Sequence, residues 1–238
     1  VGGEKMPTRR DVFNKLNATK KLPTPSNTTL EVVRLCQSES TSLNDIASVI
    51  QTDPALSAEL LKYANAAFLS TGIQVASIQK ATVKLGMKTV VNLALGFSLL
   101  AGNKQGKCRT FAYDEFWSTS LLQAIAAKSI VAKGKEFDPE ELFICGLLAH
   151  MGQLALASLF PKEYEELLAR LSFGVDAEAN FSSHLRKSME KEAFQIDSSE
   201  LTTELFLDWG LPAHYALGAG FHDDLSNIEL GSGKTQRV

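Results

Sequence analysis

Two Asp-Pro dipeptides, each directly before an apolar segment, constrain the fold of this chain more than any other sequence feature. Asp53-Pro54 precedes ALSAELLKYANAAF, and Asp138-Pro139 precedes EELFICGLLAH. An aspartate can accept hydrogen bonds from the unpaired backbone N–H groups of a first helical turn. Proline suits the first helical position because its missing N–H is not needed there. Both segments are therefore predicted to be helices.

Other segments carry the same kind of helix signal. Ser42 and Asp45 have the spacing of an N-terminal cap, and Ser77 is predicted to cap IQKATVKLG, with Gly86 ending that helix. Strand patterns are scarce, so the sequence predicts an all-α fold. Further helices are predicted from about 88, from 114 to Gly134, from Pro139 to His150 with Gly152 as an interruption, from Pro161, and over about 176–193, 198–209 (ended by Gly210) and 212–221.

The polar, glycine-containing segment GNKQGKCRT, residues 102–110, is typical of a connection between two groups of helices. We therefore predict a single domain made of two helical lobes that stay in contact. GSGKT near the C-terminus is not interpreted as a phosphate-binding loop because no helix follows it. The predicted bounds are 7–230 for the domain, 7–103 for the N-terminal lobe, 111–224 for the second lobe, and 1–6 and 231–238 for tails.

Composition and charge favour a cytoplasmic protein that binds neither nucleic acid nor membrane. The formal net charge of the 238 residues is -3, whereas a general nucleic-acid binder needs a basic face to neutralise phosphates. The longest apolar stretch, 90–101, is shorter than the roughly 20 residues of a membrane-spanning helix. Cys36, Cys108 and Cys145 are dispersed and form no paired motif, which fits a reducing compartment.

Six blocks, in order along the chain, carry a resemblance to a known family. The most distinctive is ASVIQTDPALSAELLKYANAAFLS, which contains a DP.L...LL..AN pattern from Asp53 to Asn65. The others are LPTPSNTTLEVVRL, SIQKATVKLGMKTVVNLAL, FWSTSLLQAIAA, LFICGLLAHMGQLAL and EAFQIDSSELTTELFLDWGLP. Together, over roughly residues 20–223, they resemble the HDOD family, which is related to the HD metal-dependent phosphohydrolases.

This resemblance implies an all-α, HD-domain or phosphodiesterase-like helical bundle with an N-terminal helical lobe. It also implies a non-catalytic regulatory module of a bacterial signalling protein, which acts by binding a protein or a ligand. Receiver, sensor or cyclic-dinucleotide domains are the partners that the family suggests. The sequence leaves the oligomeric state open.

The metal ligands of HD enzymes are incomplete at the matching positions. Those enzymes use a histidine, an adjacent His-Asp pair and a distant aspartate. The pair would fall at His150-Met151, where the neutral methionine sulfur cannot replace a carboxylate for a hard cation. FWSTSLLQAIAA contains no histidine. We therefore predict no catalytic, cofactor-binding or metal-binding residues, and only vestigial site positions at His150, Met151, Glu200, His222 and Asp223.

Two other functions stay open. A metal-dependent phosphohydrolase or phosphodiesterase with weak activity would need His150, Glu200, His222 and Asp223 to converge on one ion. An oligomerisation domain would use the helical scaffold alone. The purely structural explanation places His150 at a helix end, bonded to backbone, and makes His222 and Asp223 the end of the last helix.

Overall fold

The computed structural model describes residues 9–38, 40–68, 72, 74–131, 138–173, 179–212 and 215. Over these residues the chain forms α-helices and no β-strand, so the predicted all-α class is confirmed. The helices are α1 (Arg9–Asn17), α2 (Asn27–Cys36), α3 (Leu43–Ile50), α4 (Pro54–Ala67), α5 (Ile78–Leu85), α6 (Met87–Gly102), α7 (Tyr113–Val131), α8 (Pro139–Leu148), α9 (Met151–Leu159), α10 (Pro161–Phe173), α11 (Ala179–Phe194) and α12 (Ser198–Asp208).

Both Asp-Pro dipeptides begin helices as predicted. Oδ1 of Asp53 accepts the backbone N–H of Leu56 at 3.0 Å and so satisfies the first turn of α4. Oδ1 of Asp138 accepts the backbone N–H of Glu140 at 2.9 Å at the start of α8. The predicted cap of α3 is also confirmed, because Oγ of Ser42 accepts the backbone N–H of Asp45 and the backbone N–H of Ser42 donates to Oδ2 of Asp45.

The glycines that end helices were predicted correctly at two positions, and the prediction for a third was wrong. Gly86 follows α5 with a φ of 80°, and Gly210 follows α12 with a φ of 73°. Gly152 does not interrupt a helix, because it lies in the first turn of α9 and the break falls at Ala149 and His150. The predicted helix end at Gly134 and most of the predicted helix 212–221 lie outside the described residues.

One compact unit, here called the α3 unit, consists of the described residues of 24–104 and 123–144. Helices α2 to α6 pack against one another in it. Their contact faces form a core that includes Ile46, Ile50, Leu60 and Val90, none of which has measurable solvent exposure. The spacing of Leu56, Leu60 and Ala64 along α4 therefore places one face in this core.

The other compact unit, here called the α9 unit, consists of the described residues of 1–23, 105–122 and 145–238. Its central helix is α9, which is buried along nearly its whole length and packs against α10 and α12. Helix α1 packs on α12, where Arg9 and Arg10 both bond the buried carboxylate of Glu204 at 2.6 Å. The two units interleave along the sequence, and the division into consecutive lobes at 7–103 and 111–224 stays a prediction.

One stretch of the described residues, Pro139–Leu159, has the length and composition of a membrane-spanning helix, with a mean hydropathy of 1.8. It contains α8 and α9, and 56% of its most apolar window is buried inside the protein. Helices α5 and α6 together are also long and apolar enough for a span but are bent by 114° at their junction. Burial of this kind is typical of a core helix that is apolar on most sides.

Candidate functional site

His150 lies at the N-terminal end of α9 and lines a cavity of about 320 Å³ in the α9 unit. Its Nδ1 is 3.2 Å from Nε2 of Gln153, which also lines the cavity. Helices α7, α9, α10 and α11 and the segment before α7 all contribute to the walls. The polar lining residues are Thr110, Glu115, Thr119, His150, Gln153 and Arg186, and the apolar ones are Phe111, Ala112, Phe116 and Leu168.

Arg186 is the basic residue with a permanent charge among those lining the cavity. Its Nε is buried and has no hydrogen-bond partner in the described part of the chain. Oε1 of Glu190, four residues later on α11, lies 3.7 Å from this nitrogen. The pair therefore attracts electrostatically but is too long for a hydrogen bond.

Glu190 is a fully buried carboxylate beside this arginine. Its Oε1 accepts the hydroxyl hydrogen of Tyr164 at 2.9 Å, and its Oε2 accepts the backbone N–H of Ser198 at 2.7 Å. Burial raises the pKa of Glu190 above its usual value of 4.5, while the bonds from Ser198 and the charge of Arg186 oppose that rise. One carboxylate thus joins α10, α11 and the start of α12.

Met151, the residue at the predicted position of a metal-binding aspartate, is fully buried in the α9 unit. The backbone beside it is fixed to α12, because the N–H of Gly152 donates to Oγ1 of Thr202 at 2.8 Å. The Thr202 hydroxyl in turn donates to the carbonyl oxygen of Ser198 at 2.8 Å. Met151 is therefore a packing residue, and the described lining of the cavity does not include it.

Glu200, a second vestigial position, is occupied in capping α12. Its Oε2 accepts the backbone N–H of Asp197 at 3.2 Å, and its own N–H donates to Oδ1 of Asp197 at 2.9 Å. The same oxygen also bonds Nζ of Lys191. The structure does not place Glu200 among the described residues that line the cavity with His150.

His222 and Asp223, the remaining vestigial positions, lie outside the described residues. Over the residues that are described, no three side chains of His, Cys, Asp or Glu come together as they would around a metal ion. The predicted absence of a metal site therefore stays a prediction. Of the three vestigial positions that the structure describes, His150 is the one that lines the cavity.

The carboxylates at the start of α8 have basic partners within the α3 unit. Lys88 bonds both Asp138 and, at 3.1 Å, Glu141. The hydrogen bond from Lys88 lowers the pKa of Asp138 below its usual value, and the same bond raises the pKa of Lys88. Glu140 bonds Lys128. These contacts and the cap that Asp138 provides account for the acidic cluster without a bound ion.

Three residues that shape the cavity or its surroundings were not predicted from the sequence. Arg186 and Glu190 lie in the charged string RKSMEKE, which is typical of an exposed helix, and Tyr164 follows Pro161 in another charged segment. The sequence did contain an indication of their position, because Arg186 and Glu190 directly follow the apolar residues Leu185 and Met189. Such adjacency places both charges near the buried face of α11.

Known proteins of similar sequence or fold match most of this chain. A curated relative, an uncharacterised protein of Treponema pallidum strain Nichols, is 26% identical over 199 residues, which is 82% of this chain. The matched part is 36% of that relative, so the chain spans about a third of its length. A crystal structure of a candidate phosphohydrolase from Shewanella amazonensis SB2B is 25% identical, with a TM-score of 0.72, over 92% of this chain and 73% of that one.

A crystal structure of a candidate signal transduction protein from Marinobacter aquaeolei VT8 has the same fold. It is 22% identical, with a TM-score of 0.68, over 93% of this chain and 47% of that chain. The HDOD domain model matches residues 22–225, which is most of the sequence and includes residues of both compact units. These residues contain the Asp53 to Asn65 block and the His150-Met151 position. The chain therefore belongs to the HDOD domain family.

Proposed function

We propose that this chain is a non-catalytic regulatory module of a bacterial signalling protein, which acts in the cytoplasm by binding a protein or a ligand. The observation that carries the proposal is the buried thioether of Met151 beside His150. At that position an HD hydrolase would need a carboxylate that faces a metal ion. Methionine supplies a neutral, weakly accepting sulfur, and here it packs in the core.

The surroundings of Met151 support the same conclusion. A catalytic metal must lower the pKa of a bound water and polarise phosphoryl oxygens, which requires several anionic or imidazole ligands around one ion. Glu200 already bonds Lys191 and the first turn of α12. His150 alone among the described vestigial positions lines the cavity. A single imidazole holds a hard divalent cation poorly.

The comparisons support a role in signalling. One protein of the same fold is a candidate signal transduction protein, and this chain covers 47% of it. The curated relative is also much longer than this chain. A regulatory domain joined to receiver, sensor or cyclic-dinucleotide domains would act by favouring one of two arrangements of the whole protein, which requires a partner with different affinities for them.

A weak metal-dependent phosphohydrolase is the second candidate function. Its support is the likeness to the candidate phosphohydrolase from Shewanella amazonensis and the position of His150 on the cavity wall. In that case, His150 would have to combine with His222 and Asp223 to hold the ion. The two functions differ in metal stoichiometry and in turnover.

An experiment with the whole chain separates the two functions. The bound metal is measured after purification, and hydrolysis of bis(4-nitrophenyl) phosphate is followed with added manganese. His150→Ala is compared with His184→Ala, a matched change at an exposed position of α11. We expect no stoichiometric metal and the same background rate in all three proteins. Metal at one ion per chain, with turnover lost only in His150→Ala, would establish the phosphohydrolase.

A second experiment tests the regulatory role directly. The purified chain is titrated against separately purified domains of the full-length protein that carries it, by calorimetry. We expect saturable binding to at least one of them, because a regulatory module must interact differently with two states of its partner. Failure to bind every such domain, together with an unchanged output when the module is deleted, would refute the regulatory role.

A further inference from the structure

Arg186 gives the cavity beside His150 an unsatisfied positive group. Its Nε is shielded from water and has no hydrogen-bond acceptor in the described part of the chain. The carboxylate of Glu190 attracts it from 3.7 Å but already accepts bonds from Tyr164 and Ser198. A buried donor without an acceptor loses its hydration without replacing it, which is unfavourable. Arg186 also lines the cavity, so a negatively charged acceptor placed there would be attracted by the guanidinium charge.

Neighbouring side chains could hold the same acceptor. Gln153 and Thr119 line the cavity with Arg186, and each carries a hydrogen-bond donor. His150 lies beside Gln153 and can donate from one ring nitrogen. Glu115 is also on the wall and is exposed, so it offsets part of the positive charge of Arg186 and disfavours a ligand with more than one negative charge. The polar lining therefore favours one compact anionic group.

The rest of the cavity wall is apolar. Phe111, Phe116 and Leu168 line it, and Phe111 is held in place by edge contacts with Tyr113 at 4.8 Å between ring centroids. Aromatic and aliphatic walls with a few polar groups are typical of small-molecule pockets. The volume of about 320 Å³ lies at the small end of the range for such pockets, roughly 300–1,000 Å³.

We propose that this cavity binds a small organic anion, with one carboxylate or phosphate group paired with Arg186 and an apolar body against Phe111, Phe116 and Leu168. The proposal rests on the proposed regulatory function, since the ligand would serve there as a signal and would leave unchanged. The charged group pairs with the guanidinium charge of Arg186 and accepts a hydrogen bond from the amide of Gln153. The apolar body is the part that distinguishes one anion from another.

Four probes test the two halves of this ligand on the whole chain by calorimetry and by nitrogen-15 NMR. Benzoate and phenyl phosphate carry both a ring and a charge, acetate lacks the ring, and benzyl alcohol lacks the charge. We expect benzoate or phenyl phosphate to bind with a Kd at least tenfold below those of acetate and benzyl alcohol. The tighter of the two identifies the anionic group. The NMR shifts should concentrate at Thr119, Gln153 and Arg186.

Variants connect the binding to the arginine. Arg186→Gln should weaken binding of the tighter probe about tenfold or more, since a charge-assisted bond is lost. Arg186→Lys should retain part of the affinity. Arg170→Gln makes the same change at an exposed position of α10 and should leave the Kd unchanged. Circular dichroism verifies that each variant is folded. If Arg186→Gln is unfolded, Gln153→Met is used as the cavity variant instead.

Several outcomes would overturn the anion site. They are the absence of saturable binding for all four probes, acetate or benzyl alcohol binding as tightly as the tighter of benzoate and phenyl phosphate, and equal Kd values for the parent chain and the folded cavity variants. If the anion does not bind in this way and no phosphate ester is hydrolysed, the proposed regulatory function still stands. Hydrolysis of phenyl phosphate with added manganese, lost in His150→Ala, would instead refute the regulatory function while the anion site stands.

Discussion

The hydroxyl of Tyr164 donates to Oε1 of Glu190 across 2.9 Å, and both side chains are fully buried. Because Oε2 of the same carboxylate accepts the backbone N–H of Ser198, three helices meet at one ionisable group. Nε of Arg186 lies 3.7 Å from Oε1 of Glu190, and Arg186 also lines the cavity. The electrostatic state of the cavity wall is therefore linked to the packing of α10, α11 and α12.

Removal of the tyrosine hydroxyl should destabilise the protein measurably. Tyr164→Phe keeps the ring in the core but leaves one oxygen of Glu190 without its donor. Leaving a buried acceptor unsatisfied costs about 1–3 kcal/mol in the free energy of unfolding. Urea unfolding measures the difference. Tyr63→Phe, at a side chain that is 41% exposed, is the control and should change stability much less.

A Glu190→Gln variant should change how stability depends on pH. The folded-state pKa of Glu190 is raised, so the folded protein holds this proton to a higher pH than the unfolded chain does. Stability from this group is fully present below pH 4.5 and is lost as the pH rises through the folded pKa. Glutamine does not ionise, and its amide can still donate to Tyr164 while its oxygen accepts from Ser198.

The measurement for Glu190 is a series of urea unfolding curves between pH 4 and 8. The parent chain should lose more stability across this range than Glu190→Gln does. Glu192→Gln makes the same change at an exposed position of α11 and should follow the parent. Identical pH profiles for the parent and Glu190→Gln would show that burial does not raise this pKa.

The helices were predictable because their signals are local. Asp53, Asp138, Ser42 and Ser77 cap the turns that directly follow them, so a short string of sequence contains the whole interaction. Gly152 was misinterpreted because its reason is not local. It lies against Ser198 at the start of α12, nearly 50 residues later in the chain. The sequence around Gly152 contains no pattern that predicts this contact. Glycine was interpreted as a helix breaker where it is a close-packing residue.

Gly152→Ala should be strongly destabilising. A Cβ at this position would lie 1.9 Å from the carbonyl oxygen of Ser198, so α9 and α12 would have to separate. Overpacking of this kind costs typically 1–3 kcal/mol, and more when backbone must move. Gly102→Ala, in the last turn of α6, is the control, because nothing lies within 4 Å of the added carbon. The melting temperatures of both variants are measured by thermal unfolding. Equal melting temperatures would contradict the close approach of Gly152 to Ser198.

The cavity was less predictable than the fold. His150 could be chosen from the family resemblance, but Arg186 and Tyr164 come from segments whose charge patterns favour exposure. Their burial follows from how α10 and α11 pack, which is a long-range property. The role of Glu200, in contrast, follows from local sequence. Its spacing from Asp197 is that of a helix cap, and its carboxylate does cap α12.

Asn65, the last residue of the DP.L...LL..AN block, bonds the chain that follows α4. Its Nδ2 donates to the carbonyl oxygens of Leu61 and Val75, each at 2.9 Å, and its Oδ1 accepts the backbone N–H of Val75 at 2.9 Å. One amide thus pairs both backbone groups of a buried residue ten positions away. Only a side chain with a donor and an acceptor at this distance can make all three bonds.

Asn65→Asp should therefore be more harmful than its small change in volume suggests. The carboxylate keeps the bond from the Val75 N–H but loses both donors and faces two carbonyl oxygens. We expect a loss of about 1–3 kcal/mol in the free energy of unfolding at neutral pH, with partial recovery in acid as the new carboxyl is protonated. Asn44→Asp, at an exposed position in the first turn of α3, should be nearly neutral. Urea unfolding at pH 7 and pH 4 measures the difference. If Asn65→Asp were as stable as the parent chain at pH 7, the hydrogen bonds between Asn65 and Val75 would contribute little to the free energy of unfolding.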